Sequence, residues 1–360
     1  MSLGERLRIA RQSVGLTLEQ VAEKSGLGVS SLSEFETAKR EPRLSQLSIL
    51  GRIYLRSVGY FLSDSPVHQD VVLWRSKPPE SEARIVSSRF RELCERFHNL
   101  EVWCEEESNH RLPSVPGTPE HLGYPHAEAL ASHFRKELEL GARPGCELLR
   151  VLEEVCHVKV FHLEFQPTGA AASTISPTFG AAILLNALNS RWRRNFDLAH
   201  ELFHLLTWNL FRVSSKDAGQ DSASEHEEKL ATCFARNLLM PREAVLEALS
   251  GQNLDGGIPP GAVGALARQF DVSMEAVLWH LQLVLGRSEA ETKTDIQALK
   301  TASRSYEERT DDRPSKLPRR FEALALRAFL ESRMSIGRYA EYVGVSRQQA
   351  AKLLEDDSNG

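Results

Sequence analysis

Long hydrophobic runs are missing from this 360-residue chain, and so is any framework of paired cysteines. No apolar stretch approaches the roughly 20 residues that a membrane-spanning helix needs, and the N-terminus carries no signal-peptide core. No membrane partner is expected, and the location expected is cytoplasmic. The five cysteines, Cys94, Cys104, Cys146, Cys156 and Cys233, are odd in number and form no Cys-x-x-Cys. Neither a disulfide scaffold nor a zinc knuckle follows from them, and a reducing compartment suits them. Strong positive charge is also absent. A net charge of −5 argues against coating nucleic acid with the whole surface but leaves room for one basic module. With 41% hydrophobic and 26% charged residues, the composition is that of a globular protein, and its length suggests two or three domains.

What is present is most concentrated in Phe196-Asp197-Leu198-Ala199-His200-Glu201-Leu202-Phe203-His204-Leu205-Leu206. Its centre reads His-Glu-x-x-His. On a helix, His200 and His204 project from one face one turn apart. Two neutral imidazoles so placed can grip one divalent metal, and Glu201 can reach a metal-bound water as general base. Leu198, Leu202, Leu205 and Leu206 cover much of the remaining circumference, so the helix is expected to be buried. Burying two histidines and a glutamate needs a compensating reason.

A third protein ligand is expected downstream, in Ser224-Glu225-His226-Glu227-Glu228 and the apolar helical stripe after it, which ends at Pro241. Ala231 and Ala235 are small enough to allow close approach to another helix. Glu228 precedes them by three and seven residues and shares their face, which makes it the first choice. Glu225 and Glu227 remain alternatives.

The N-terminal 62 residues follow a helix-turn-helix plan. Thr17 with Gln20 reads as a capping box, and Gly26 as a left-handed C-cap. Further along, Val86, Phe90, Leu93, Phe97, Leu100 and Cys104 recur at spacings of four and three. Such a seam serves either dimerisation or docking against the chain's own core. A dimer would suit a helix-turn-helix protein reading two half-sites.

Two resemblances carry these readings further. Asn186, Arg194-Asn195-Phe196-Asp197-Leu198-Ala199-His200-Glu201, and Glu228-x-x-Ala231-x-x-Phe234-Ala235-x-x-Leu238-Leu239-Met240-Pro241 together resemble the ImmA/IrrE metallopeptidase domain. That resemblance implies a gluzincin-like site with His200, His204 and Glu228 as ligands to Zn2+, with Mn2+ as the alternative, and Glu201 as catalytic base. Phe203 departs from the family, which usually has Gly there; a bulky ring at that position is expected to crowd the cleft. Thr17-Leu18-x-x-Val21-Ala22, Gly26-Leu27, Val29-Ser30-x-Leu32-Ser33-x-Phe35-Glu36 and Arg40-x-Pro42 resemble the XRE (Cro/CI-like) DNA-binding domain. By that resemblance Gln20, Ser30, Ser31, Ser33 and Glu34 face the major groove of double-stranded operator DNA. Arg11, Lys39, Arg40 and Arg43 are placed to meet phosphates.

The fold class expected is mainly α with a small β-sheet. Residues 1–62 form an all-α helix-turn-helix domain. Residues 63–120 hold a linker and the amphipathic helix. Residues 121–286 form an α+β zincin-like peptidase domain, 287–318 a linker or tether, and 319–360 a C-terminal helical segment. Gly180 to Leu185 is the strand expected to hold substrate backbone by strand addition. Phe211 to His226 is expected to form a polar loop over the site. The function expected is a transcriptional regulator, a repressor, whose peptidase domain cuts itself or a partner XRE-type repressor under stress, as a homodimer. The alternative is a non-proteolytic regulator whose peptidase-like domain senses a ligand, a metal or nucleic acid. A third reading is a protease whose N-terminal module binds protein rather than DNA.

Overall fold

Five short helices build the N-terminal domain in this computed structural model, which describes residues 1–63, 71–107, 109–213, 221–250, 258–302 and 313–357. They are α1 (Leu3–Ser13), α2 (Leu18–Ser25), α3 (Val29–Glu36), α4 (Leu44–Tyr54) and α5 (Val58–Leu62). The local signals act as expected. Thr17 and Gln20 form a reciprocal capping box on α2, and Gly26 closes it at φ +71°. Leu7, Ala10, Val21, Leu32, Phe35, Leu47 and Leu50 make the core. Gly4 lets α1 meet the end of α3, because a Cβ there would lie 2.6 Å from the Phe35 carbonyl oxygen.

The body contains β1 (Leu73–Arg75), α6 (Glu80–Trp103), α7 (Tyr124–Glu137), α8 (Pro144–Glu154), β2 (Lys159–Leu163), β3 (Ala171–Ser176), β4 (Gly180–Asn186), α9 (Arg191–Leu206) and α10 (Glu225–Leu239). Then follow α11 (Arg242–Leu249), α12 (Pro260–Phe270), α13 (Met274–Leu285), α14 (Glu289–Ala302), α15 (Arg319–Leu330), α16 (Ile336–Val343) and α17 (Arg347–Asp357). The strands form one sheet in the order β1-β3-β4-β2, antiparallel except for β4 with β2. Helices cover both faces. Val160, Ala171, Ala181, Ile183 and Leu185 face the core built with α7 to α13. Phe161, Ala172, Ala182 and Leu184 face the opposite core, shared with α6 and the C-terminal helices. A strand buried on both faces needs apolar residues throughout, which is why β4 reads Gly-Ala-Ala-Ile-Leu-Leu-Asn.

Two expectations change here, and one open alternative is decided. The segment 63–120 is more than linker, since Leu73–Arg75 pairs with β3 as a sheet strand. The α6 seam is used within the chain: Val86, Phe90, Leu93, Phe97, Leu100 and Cys104 pack with Phe161, Leu184, Phe321 and Leu324. That seam is therefore not open to a second copy. The tether expected at 287–318 carries helix α14 over Glu289–Ala302, and Ile296 is buried in the main core. Its residues 303–312 lie outside the described ones. The C-terminal helices close the second core. There the buried Lys159 ammonium meets Glu101 at 2.9 Å, and Arg320 reaches the other Glu101 oxygen at 2.6 Å. Two cations on one carboxylate satisfy a buried charge that would otherwise be costly.

The N-terminal domain rests on α6. Ser88 Oγ donates to the Ser13 carbonyl at 3.2 Å, and Arg56 pairs with Glu95.

Candidate metal centre and nucleic-acid interface

Helix α9 starts after Ser190 and buries every residue from Asp197 to Leu206. Helix α10 starts after Ser224, whose hydroxyl accepts from Glu227 N at 3.2 Å. Ala231 and Ala235, fully buried, bring α10 close to α9. The crossing sets Glu228 against both histidines. Its Oε2 lies 3.1 Å from His200 Nε2, and its Oε1 lies 3.6 Å from His204 Nε2. One ligand atom from each of His200, His204 and Glu228 falls within 4.8 Å of the others. The histidines are buried, while the Glu228 side chain is 31% exposed and marks the open side.

The two alternative third ligands sit elsewhere. Glu225 is exposed and pairs with Lys229 at 2.6 Å. Glu227 lies behind His204: its Oε1 takes the Nδ1 proton at 2.9 Å, and its Oε2 accepts from Arg212 Nη2 at 2.7 Å. A carboxylate in that position fixes the ring and directs the other nitrogen, Nε2, towards the centre. Sequence reading missed this role, as it missed Ser173, whose Oγ donates to Glu201 Oε2 at 2.7 Å. The second Glu201 oxygen, Oε1, is buried without a hydrogen-bond partner, as are His204 Nε2 and His200 Nδ1. Two imidazoles, one carboxylate and unsatisfied buried acceptors are a donor set that a divalent cation completes.

The electrostatics follow from burial. Desolvation pushes the Glu201 carboxyl up to about 7. Burial, with the Arg75 cation nearby, takes His200 down to about 3 and keeps it neutral. Burial also disfavours the His204 cation, but the hydrogen bond to Glu227 and the nearby Glu228 carboxylate outweigh it and raise His204 to about 9. Glu228 is likewise penalised by burial, yet its bond to His200 and the neighbouring His204 ring hold it well below the usual carboxylate range. The cluster is thus set to keep one positive charge between Glu227 and Glu228, and a metal ion would replace that proton.

One turn before His200, Asp197 is fully buried and accepts from Arg75 at 2.7 Å and from Asn189 at 3.0 Å. This brace ties β1 to the metal helix. Beside it a cavity of about 620 Å³ is lined by Arg75, Trp192, Phe196, Thr232, Arg236 and Trp279, among others. Of its lining residues, Thr232 lies one turn beyond Glu228 on α10, and Arg75 holds Asp197.

Three more expectations change. Phe203 does not crowd the cleft. It is fully buried, packed on Phe234 with ring centroids 5.7 Å apart, and belongs to the hydrophobic core. The strand Gly180 to Leu185 cannot take a substrate strand, because β4 is paired on both edges. The edge strand on the metal side is β1, where Trp74 N donates to the Asp221 carbonyl at 2.9 Å. The stretch 211–226 is not polar throughout, since Asn209–Val213 forms a wide π turn with Phe211 and Arg212 buried. Its residues 214–220 lie outside the described ones.

On the N-terminal domain, Ser30, Lys39, Arg40 and Arg43 are exposed, and Ser31, Ser33 and Glu34 are half-buried along α3. Gln20 is exposed, and its Oε1 accepts from Thr17 N at 2.9 Å, leaving the amide nitrogen for another partner. Arg11 is placed differently from expectation. It forms a forked pair with Glu36, at 2.6 and 2.9 Å, and donates to the Leu16 carbonyl at 2.8 Å. A guanidinium so occupied braces α1 against α3 rather than meeting a phosphate.

With this geometry in hand, comparison with known proteins is informative. Residues 153–281 match the IrrE N-terminal-like domain, a peptidase family, and residues 2–58 match a helix-turn-helix domain. The chain is similar to the "HTH-type transcriptional regulator ImmR" of Bacillus subtilis (strain 168), 40% identical over 67 residues, 19% of this chain and 53% of that protein. It is also similar to the "Uncharacterized HTH-type transcriptional regulator YobD" of the same organism, 44% identical over 64 residues, 17% of this chain and 57% of that one. The chain thus spans little more than half the length of these relatives. A solved structure, a "Mycobacterium tuberculosis transcriptional regulator", matches with a TM-score of 0.33 and 18% identity over 52% of this chain and 51% of that one, too slight to carry an argument.

Proposed function

We propose that this chain, which joins an XRE-type helix-turn-helix domain to an IrrE-like domain, is a DNA-binding transcriptional regulator that carries its own metal-dependent endopeptidase. The observation that carries the peptidase half is the convergence of His200, His204 and Glu228 within 4.8 Å around a buried Glu201. Zn2+, or Mn2+, would be held by His200, His204 and Glu228. A metal bound there supplies Lewis acidity to a scissile carbonyl and a lowered pKa to water. Glu201, with Ser173 fixing one oxygen, presents Oε1 as the proton acceptor and can hand that proton to the leaving amine. Glu227 holds His204 in place throughout. The cavity beside α9 is the space for a substrate side chain, and β1 offers the strand edge, once Asp221 and Ser222 give it up. The substrate proposed is the chain itself or a partner XRE-type repressor.

The regulatory half rests on α3 with Ser30, Ser31, Ser33 and Glu34 at the major groove and Gln20 beside them. Lys39, Arg40 and Arg43 are exposed and would meet phosphates. A homodimer on two half-sites would use a surface other than the α6 seam. The non-proteolytic alternative drew on a crowded cleft, and Phe203 lies in the core instead.

The test is incubation of the purified full chain with Zn2+ or Mn2+, alone and with an XRE-type repressor, followed by intact mass spectrometry. Glu201→Gln is expected to abolish fragments, by roughly a thousandfold or more in rate, while retaining bound metal. Fragments that persist unchanged in Glu201→Gln would exclude the mechanism.

A further inference from the structure

A second cavity, of about 930 Å³, lies where the N-terminal domain meets the body, and no part of it belongs to the metal centre or the α3 face. Its walls come mainly from three parts of the chain, with Thr178 and Phe179 of the β3–β4 turn. The N-terminal domain gives Arg52, Arg56 and Tyr60, α6 gives Arg96 and Trp103, and α16 gives Arg338 and Tyr342. That volume falls in the range of small-molecule sites.

The charge in it does not balance. Five arginines (Arg6, Arg52, Arg56, Arg96 and Arg338) line the cavity against three glutamates, Glu92, Glu95 and Glu341. All three glutamates are engaged: Arg56 pairs with Glu95, and Arg96 meets Glu92 at 2.7 Å and Glu341 at 3.2 Å. Arg6 donates to the Tyr60 carbonyl at 3.0 Å. Arg52 and Arg338, both exposed, have no carboxylate partner among the described residues. Buried polar atoms of lining residues, Arg56 Nε and Tyr60 Oη among them, lack a hydrogen-bond partner as well.

The walls are also flat. The Arg338 guanidinium lies 4.5 Å from the Trp103 ring centroid and 5.8 Å from that of Tyr342, and Arg96 covers Tyr342 at 5.4 Å. Arg56 lies over Tyr60 at 4.9 Å on the other side. A guanidinium stacked on a ring keeps its own outer face and its edge donors for a further planar or anionic group.

The geometry points to a binding site for a phosphate monoester that carries a planar ring and is of nucleotide size. Such an ester brings close to two negative charges, which matches the cavity's excess of two guanidiniums over carboxylates. The ring lies along the Trp103–Arg338–Tyr342 stack, and the phosphate meets Arg52 and the Arg56 edge. Because the walls belong to both the DNA-binding domain and the body, a ligand there holds the two in one arrangement. Operator affinity is then linked to ligand concentration through the differential affinity of the two arrangements.

The experiment is calorimetric titration of the full chain with each of the four nucleoside 5′-monophosphates, with adenosine (ring without phosphate) and with inorganic phosphate (phosphate without ring). At least one nucleotide is expected to bind saturably, one per chain, with adenosine and inorganic phosphate each weaker by about tenfold or more. Arg52→Gln and Arg338→Gln, both on exposed side chains, are each expected to weaken the nucleotide about tenfold without altering the melting temperature of the free protein. Lys39→Ala, on the α3 side, should leave nucleotide binding unchanged. No saturable binding of any nucleotide overturns the proposal. So does inorganic phosphate binding as tightly as the nucleotide, an affinity unmoved in the Arg52→Gln, Arg338→Gln double variant, or binding lost in Lys39→Ala.

Discussion

The candidate metal centre and the exposed face of the N-terminal domain handle charge in opposite ways. At the centre, His200, Glu201, His204 and Glu227 are all buried, and each has a neighbour that fixes its position. On the N-terminal face, Lys39, Arg40 and Arg43 stand in water; Arg40 comes only to 4.0 Å of Glu34. The first arrangement has its geometry set before any ligand arrives, so removing one member leaves its partners stranded. The second is set only on contact with a polyanion, and its members act nearly independently. The difference predicts steep, coupled responses in one region and shallow, additive ones in the other.

The largest response expected is to Glu228→Ala. With one of three ligands gone, metal measured per chain by elemental mass spectrometry should fall from about one to near zero, a loss of about a thousandfold or more in affinity. Retained stoichiometric metal would show that the centre tolerates losses as the exposed face does. Glu227→Gln comes next. It keeps all three ligands but loosens the His204 ring, and chelator competition should give an affinity lower by about 10–100-fold. An unchanged affinity would mean that the carboxylate behind the histidine does not orient it.

A third test takes a buried charge away from the centre. Glu153 is 8% exposed, and burial pushes its carboxyl from 4.5 up to about 7, against a backbone hydrogen bond from Arg319. Between those two values the folded chain holds a proton that the unfolded chain has released. Stability therefore falls as pH rises from about 4.5 to about 7 and stays at the lower level above. Glu153→Gln should remove that fall and stabilise the chain at pH 8 by about 1–2 kcal/mol, read from denaturant unfolding at both ends of the range. The smallest effect is expected from Lys39→Ala. It should weaken operator binding a few-fold, alike for all sequences, and lower the slope of log affinity against log salt by about one. A loss confined to one operator sequence would place Lys39 at a base instead.

How much was legible beforehand follows the range of the interactions. Thr17, Gln20 and Gly26 act through neighbours within a few residues, and the caps form as read. His200 and His204 share one helix, so their juxtaposition follows from helical periodicity alone. Choosing Glu228 over Glu227 needed the angle at which α10 crosses α9, and periodicity only favoured it. Ser173, Arg75 and Arg212 were not legible as supports, because each reaches the centre through tertiary packing from a strand or turn remote in sequence. Phe203 was misread for a related reason. A helix position names a direction, but whether that direction holds a cleft or a core depends on Phe234 arriving from α10. Arg11 looked like a free cation until Glu36, distant in sequence, folded against it.

Strand β1 sits on the only covalent path between the DNA-binding head and α6, and it is stitched into the sheet through Leu73, Trp74 and Arg75. A single hydrolysed bond between Ser63 and Val72 would sever the head while all four strands stayed paired and Arg75 stayed on Asp197. The proposed peptidase half would survive such a cut intact. The severed head would then be retained by non-covalent contacts such as Ser88 to Ser13 and Arg56 to Glu95, and by whatever fills the cleft between them. On the proposed self-cleavage, backbone scission and departure of the head would be separate events.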